Sequence, residues 1–181
     1  MERSNPHPRL FFGLAAAVVL SDAFTKILAV DRLMPSRVPR DVIGETLRLT
    51  LVFNPGAAFG LHLGPWSRWI FTALTIGALV LLWGLYRSTR AGEIWRTLAL
   101  GLVCGGAVGN LVDRLKSGRG VVDFIDVGVG SVRWPTFNVA DMAVSCGAIL
   151  LAIVLWREDA AAERSAAREV TAGGPDAAVH G

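Results

Sequence analysis

Four aspartates in this 181-residue chain stand inside or beside long apolar stretches: Asp22, Asp113, Asp123 and Asp141. An ionisable group at the depth of a hydrocarbon core is expensive, so each one marks a candidate site. Asp123 interrupts the apolar run Val121-Val122-Asp123-Phe124-Ile125, and Asp141 follows Asn138 by three residues where another apolar stretch begins. Two carboxylates held close together resist double ionisation: one keeps its proton and the other serves as a base. Such a pair activates a water, protonates a leaving amine and needs neither metal nor cofactor. Carboxylates in apolar spans also suit a small proton-coupled transporter. Spacing alone leaves both chemistries open.

The other two acids have structural readings beside the chemical ones. Asp22 and Lys26 are four apart with the acid first, the favourable order for an ion pair on one helical face. Mutual neutralisation would let that segment insert into a membrane. Asp113-Arg114 follows Gly109-Asn110 at the end of an apolar stretch, where an acid beside an arginine often acts as a scaffold pair. Other hydrolytic equipment is missing from the sequence. His7, His62 and His180 are too far apart for an HExxH zinc site, no G-x-S-x-G elbow occurs, and no Walker-type phosphate loop is present.

These residues must be positioned by membrane-spanning helices. The chain is 52% apolar with 18% charged residues and a mean hydropathy of +0.48. Its apolar residues gather in four blocks at 10–30, 69–86, 97–112 and 137–156. A hydrocarbon core of roughly 30 Å takes about 20 helical residues, so each block is a candidate span. That clustering excludes a single soluble domain and a disordered chain. Cys104 and Cys146 both fall inside apolar blocks and read as small buried hydrophobes, which excludes a disulfide scaffold. The first block follows Arg3 and Arg9 as a secretory signal would. However, its apolar character resumes past Asp22 and Lys26 with no small-x-small site, which reads as a retained span.

Between the first two spans, residues 31–68 form a β-rich insertion. Leu47, Leu49, Leu51 and Phe53 alternate with Thr46, Arg48, Thr50 and Val52, the period of a half-buried strand. Asn54-Pro55-Gly56 then supplies a turn. Residues 121–125 add a candidate second strand, giving a small sheet on the membrane surface. Residues 1–156 thus form one membrane domain, and residues 157–181 a charged tail that begins as helix and ends disordered. The net charge of +3 comes from 18 Lys and Arg against 15 Asp and Glu, with no basic run long enough for a nucleic-acid groove. Arginine and lysine divide almost evenly between the two sides of a four-span topology, with a slight lean toward cytoplasmic termini.

Four motifs occur in order: Asn54-Pro55-Gly56-Ala57-Ala58-Phe59, Gly109-Asn110-Leu111-Val112-Asp113-Arg114, Val121-Val122-Asp123-Phe124 and Phe137-Asn138-Val139-Ala140-Asp141. Together they closely resemble the bacterial lipoprotein signal peptidases (signal peptidase II) over residues 10–156. Asp22-Ala23-Phe24-Thr25-Lys26 is similar to a fifth family motif, with Ala23 where glutamine is usual.

The resemblance implies an all-α membrane protein of four transmembrane helices with a small extracytoplasmic β-rich cradle. It implies an inner-membrane aspartyl endopeptidase that cuts the signal peptide from prolipoproteins just before a diacylglyceryl-modified cysteine. Asp123 and Asp141 would be the catalytic dyad. Asn54, Gly56, Asn110, Asp113, Arg114 and Asn138 would line the substrate site, and Asp22 and Lys26 would be structural. Both termini would be cytoplasmic and the site would face outward. Its partners would be prolipoproteins and membrane lipid, with no cofactor, metal, nucleic acid or obligate protein partner.

Overall fold

The computed structural model of the chain describes residues 7–55 and 64–172. Four long helices carry the molecule: α1 (Pro8–Arg32), α2 (Ser67–Ser88), α3 (Ile94–Lys116) and α4 (Val139–Ala172). Pro8 opens α1 in its first turn, where the missing N–H costs nothing. All four are long and apolar enough to cross a membrane. Large apolar side chains such as Leu20 and Ile27 on α1, Leu74 and Leu81 on α2, and Ile149 on α4 point outward. In lipid that is the satisfied state, and the chain is a multi-pass membrane protein.

Helix α3 is the central one, packed against α1, α2 and α4. Its small residues allow the closest of these approaches. A Cβ added at Gly106 would lie 2.3 Å from the Ala140 carbonyl oxygen, and one at Gly109 would lie 2.7 Å from Asp22 Oδ2. Glycine at these positions lets α3 touch the first turn of α4 and the middle of α1. At the opposite end of the bundle, Phe11 stacks on Tyr86 with ring centroids 4.0 Å apart, which ties α1 to α2.

The extramembrane sheet has four antiparallel strands in the order β1 (Arg40–Ile43), β2 (Leu47–Asn54), β3 (Val121–Val129) and β4 (Val132–Arg133). Strand β2 lies where the alternating pattern predicts it, and β3 extends four residues beyond the predicted 121–125. The short strands β1 and β4 carry no period-two signal and exist through their pairing. The alternation on β2 is also interrupted, because the β2–β3 register shifts between Leu49 and Val52. Thr50 and Leu51 are consequently both buried. Leu51 joins Ala29, Leu33, Val122 and Phe124 in a core that fastens the sheet to α1. Thr50 instead donates to Asp126 Oδ2 at 2.9 Å.

Helix α4 runs past Trp156 to Ala172, through the part of the tail read from the sequence as a helix extension. Ala, Glu and Arg are strong helix formers, and a helix already nucleated in the membrane extends through them readily. Residues 173–181 lie outside the described residues, as do Gly56, Ala57, Ala58, Phe59 and His62.

Gly106→Ala tests the closeness of α3 and α4. The added methyl meets a backbone carbonyl that cannot rotate away, so a destabilisation of about 1–3 kcal/mol is expected. A thermal unfolding midpoint in detergent equal to that of the parent protein would refute the contact.

Candidate active site

The first turn of α4 is built by a reciprocal cap. Asn138 precedes the helix, and its Oδ1 accepts the Asp141 N–H at 2.9 Å. Asp141 Oδ2 accepts the Asn138 backbone N–H at 3.2 Å. This is a capping box written with Asn and Asp, and it fixes the Asp141 carboxylate relative to the helix start. Asn138 is therefore the cap that precedes α4.

Asn138 also reaches the sheet. Its Nδ2 donates to Asp123 Oδ1 at 2.7 Å, with further contacts to Asn110 Oδ1 at 3.1 Å and the Val122 carbonyl at 3.3 Å. One fully buried amide thus contacts both candidate catalytic acids. Each carboxylate has a second donor. Asn54, at the end of β2, donates its Nδ2 to Asp123 Oδ2 at 3.1 Å. Asn110, on α3, donates its Nδ2 to Asp141 Oδ1 at 2.7 Å. Strand register brings Asn54 into reach, since Asn54 pairs with Val121 and Val52 with Asp123.

Behind these groups lies a buried charge cluster. Lys26 Nζ stands 2.7 Å from Asp22 Oδ2, 2.9 Å from Asp113 Oδ2 and 3.0 Å from Asn110 Oδ1. Asp22 Oδ1 accepts the Ala140 N–H at 2.9 Å, a second cap on α4 supplied from α1. Asp113 Oδ2 also accepts the Val122 N–H at 3.1 Å, next to Asp123. The ion pair expected between Asp22 and Lys26 is present. Asp113 pairs with this lysine rather than with its neighbour Arg114. Arg114 lies within the field of Asp141, Asp123 and Asp113, and its buried Nε has no partner among the described residues.

The structure therefore gathers Asn54, Asn110, Asp113, Asp123, Asn138, Asp141, Asp22 and Lys26 into one hydrogen-bonded network, with Arg114 beside it. Gly56 lies outside the described residues. Two supporting residues carry little signal in the sequence. Arg68 donates Nε to the Arg114 carbonyl at 2.5 Å and Nη2 to the Leu115 carbonyl at 3.2 Å, capping the end of α3. Arg133 clasps Asp126 with Nη2 at 2.7 Å, holding β3 from its other face. Only the strand parity of Asp126, three residues after Asp123, hints that the two acids face opposite ways. Among the described residues, no group of three or more His, Cys, Asp or Glu side chains is arranged to hold a metal ion.

Burial, and then the charge of Asp141, push the Asp123 carboxyl up from an ordinary 3.8 to about 7. A carboxyl raised this far, beside a second one that accepts two N–H groups, is an arrangement suited to acid–base chemistry in hydrolysis.

The signal peptidase (SPase) II family model matches residues 14–157. The chain belongs to the signal peptidase II family. A lipoprotein signal peptidase of Rhodococcus jostii (strain RHA1) is 44% identical over 150 residues, covering 80% of this chain and 71% of the relative. That of Cupriavidus taiwanensis is 45% identical over 150 residues, covering 81% and 82%. A bacterial membrane enzyme solved by the in meso method at 2.3 Å superposes with a TM-score of 0.76 at 30% identity, covering 88% of this chain and 94% of that one. Membership of the signal peptidase II family makes the chain a membrane protease and sets aside the transporter reading.

The raised Asp123 value has a consequence for stability. An unfolded aspartate ionises near 3.8, whereas folded Asp123 stays protonated to about 7. Its stabilising contribution is thus complete below the unfolded value and falls as pH rises toward 7. Unfolding midpoints measured from pH 4 to 8 should decline for the parent protein relative to Asp123→Asn and then level off. Parallel curves for the two proteins would contradict this assignment.

Proposed function

We propose that the chain removes the signal peptide from diacylglyceryl-modified prolipoproteins, cutting just before the lipidated cysteine, with Asp123 and Asp141 as the catalytic dyad. The observation that carries this reading is the Asn138 amide and backbone joining both acids within one buried network. Family membership supports the substrate class, since the relatives are named lipoprotein signal peptidases.

In this reading Asp141 is the base. It removes a proton from a water whose oxygen bonds to the scissile carbonyl carbon, while protonated Asp123 gives its proton to the carbonyl oxygen. The tetrahedral diol then collapses: the C–N bond breaks, the amine nitrogen takes a proton from Asp141, and a diol hydroxyl returns its proton to Asp123. Both carboxyls end in their starting states. The guanidinium of Arg114, beside the network, would hold a substrate carbonyl, and Asn54 sits at the end of β2. Asp22 and Lys26 hold α1, α3 and α4 in register.

The termini are assigned to the cytoplasm and the sheet to the outer face of the bacterial inner membrane. A signal helix and its acyl chains then approach through lipid, at the level where the sheet meets the helices. Residues 1–156 form the peptidase domain in this scheme, and the remainder is an appended cytoplasmic segment. Membrane lipid is the only further partner the scheme requires.

Asp123→Asn and Asp141→Asn should each lower cleavage on the order of 10³-fold while leaving the protein folded and inserted. The assay is release of the shortened product from a diacylglyceryl-modified precursor, followed on a gel. Cleavage by either variant at the parent rate would rule out the dyad. An unmodified precursor cut equally well would rule out lipid recognition and leave the dyad standing.

A further inference from the structure

Lys26 does more than neutralise Asp22. It is 4% exposed, and its three N–H donors are matched by Asp22, Asp113 and Asn110. The Asn110 contact determines which way that amide faces. Asn110 Oδ1 receives both the lysine ammonium and Asn138 Nδ2. A flipped amide would present its own N–H groups to an ammonium and a second amide donor. The NH₂ end is thereby held toward Asp141 Oδ1. The Asp113 contact works similarly on the other acid, because the same Asp113 oxygen holds the Val122 N–H, one residue before Asp123. The lysine thus stands one residue from Asp141, through Asn110, and two from Asp123, through Asp113 and Val122.

We infer that Lys26 is a positioning residue for hydrolysis, which locks the Asn110 amide toward Asp141 and, through Asp113, fixes the strand that carries Asp123. This inference rests on Asp123 and Asp141 being the dyad. The charged groups facing them are Asp22 and Lys26 from α1, Asp113 and Arg114 from α3, and the two acids themselves from β3 and α4. Among these, Lys26 favours the ionised form of Asp123, against burial and against Asp141. Removing the cation makes ionisation of Asp123 harder, so Asp123 keeps its proton to a higher pH and the alkaline limb of the pH–rate profile moves upward.

The test uses the full-length protein in lipid with a diacylglyceryl-modified precursor. It compares Lys26→Met, Lys26→Arg and the double variant Asp22→Asn with Lys26→Met. The double variant removes the ion pair together, so no unpaired carboxylate of that pair remains buried. Lys26→Met should move the alkaline limb upward and lower kcat on the order of 10-fold, with KM little changed; the double variant, which removes the Asp22 anion as well, should lose similar activity with a smaller shift. Lys26→Arg should return the profile to its parent position. If a variant cleaves too slowly to assay, the decline in stability that ends near pH 7 gives the same reading and should end at higher pH. An alkaline limb, or a stability inflection, that stays in place in folded Lys26→Met overturns the inference, as does activity lost only in proportion to folded protein in either variant. Parent-rate cleavage by Asp123→Asn or Asp141→Asn is a separate result and removes the dyad itself.

Discussion

Asn138 has no contact with solvent and leaves none of its polar atoms idle. Its backbone N–H and its Oδ1 close a cap with Asp141, its carbonyl accepts the Met142 N–H at 3.2 Å, and its Nδ2 holds Asp123. A buried amide left partly unpaired would cost about 1–3 kcal/mol for each orphaned group. The network around it is consequently constrained as a unit: moving α4, β3 or α3 breaks more than one of these bonds. The geometry of the two aspartates follows from that constraint.

A second layer of charge supports the first. Asp22, Lys26 and Asp113 bring two anions and one cation into the bundle, where a lone charge would be untenable. Their contacts reach the start of α4, the Val122 N–H and the Asn110 amide. Glycine on α3 makes the arrangement possible, because any side chain at Gly109 would occupy the space of Asp22 Oδ2. Ion pairing, helix capping and close helix packing are therefore parts of one device here. It holds the half-buried Asp141 and the buried Asp123, whose carboxyl burial pushes up to about 7.

The sheet contributes geometry as well as packing. Antiparallel pairing of β2 with β3 sets Asn54 beside the residues preceding Asp123, and Asp126 is clasped by Arg133 and Thr50 on the reverse face. Asp123 is thus gripped by bonds to its own oxygens and by bonds to the strand that carries it. Leu51, Val122 and Phe124 fasten that strand to α1, linking the extramembrane layer to the bundle that holds Asp141.

Spans, the alternating strand and the two out-of-place aspartates were legible in the residues, because hydrophobic periodicity and the cost of buried charge are local properties of a sequence. The Asp22–Lys26 pair was legible for the same reason, being set by helical spacing alone. Family motifs added the grouping of Asn54, Asn110, Asp113, Arg114 and Asn138, which no spacing rule links. Only the tertiary structure decided that Asn138 is a cap joining both acids, that Asp113 turns to Lys26 and away from Arg114, and that Arg68 closes α3. The short strands β1 and β4 and the bulge that buries Thr50 were likewise decided by partners distant in the chain. The physical reason is common to all of these: a hydrogen bond between remote residues depends on register and helix approach, and those emerge only when the elements pack.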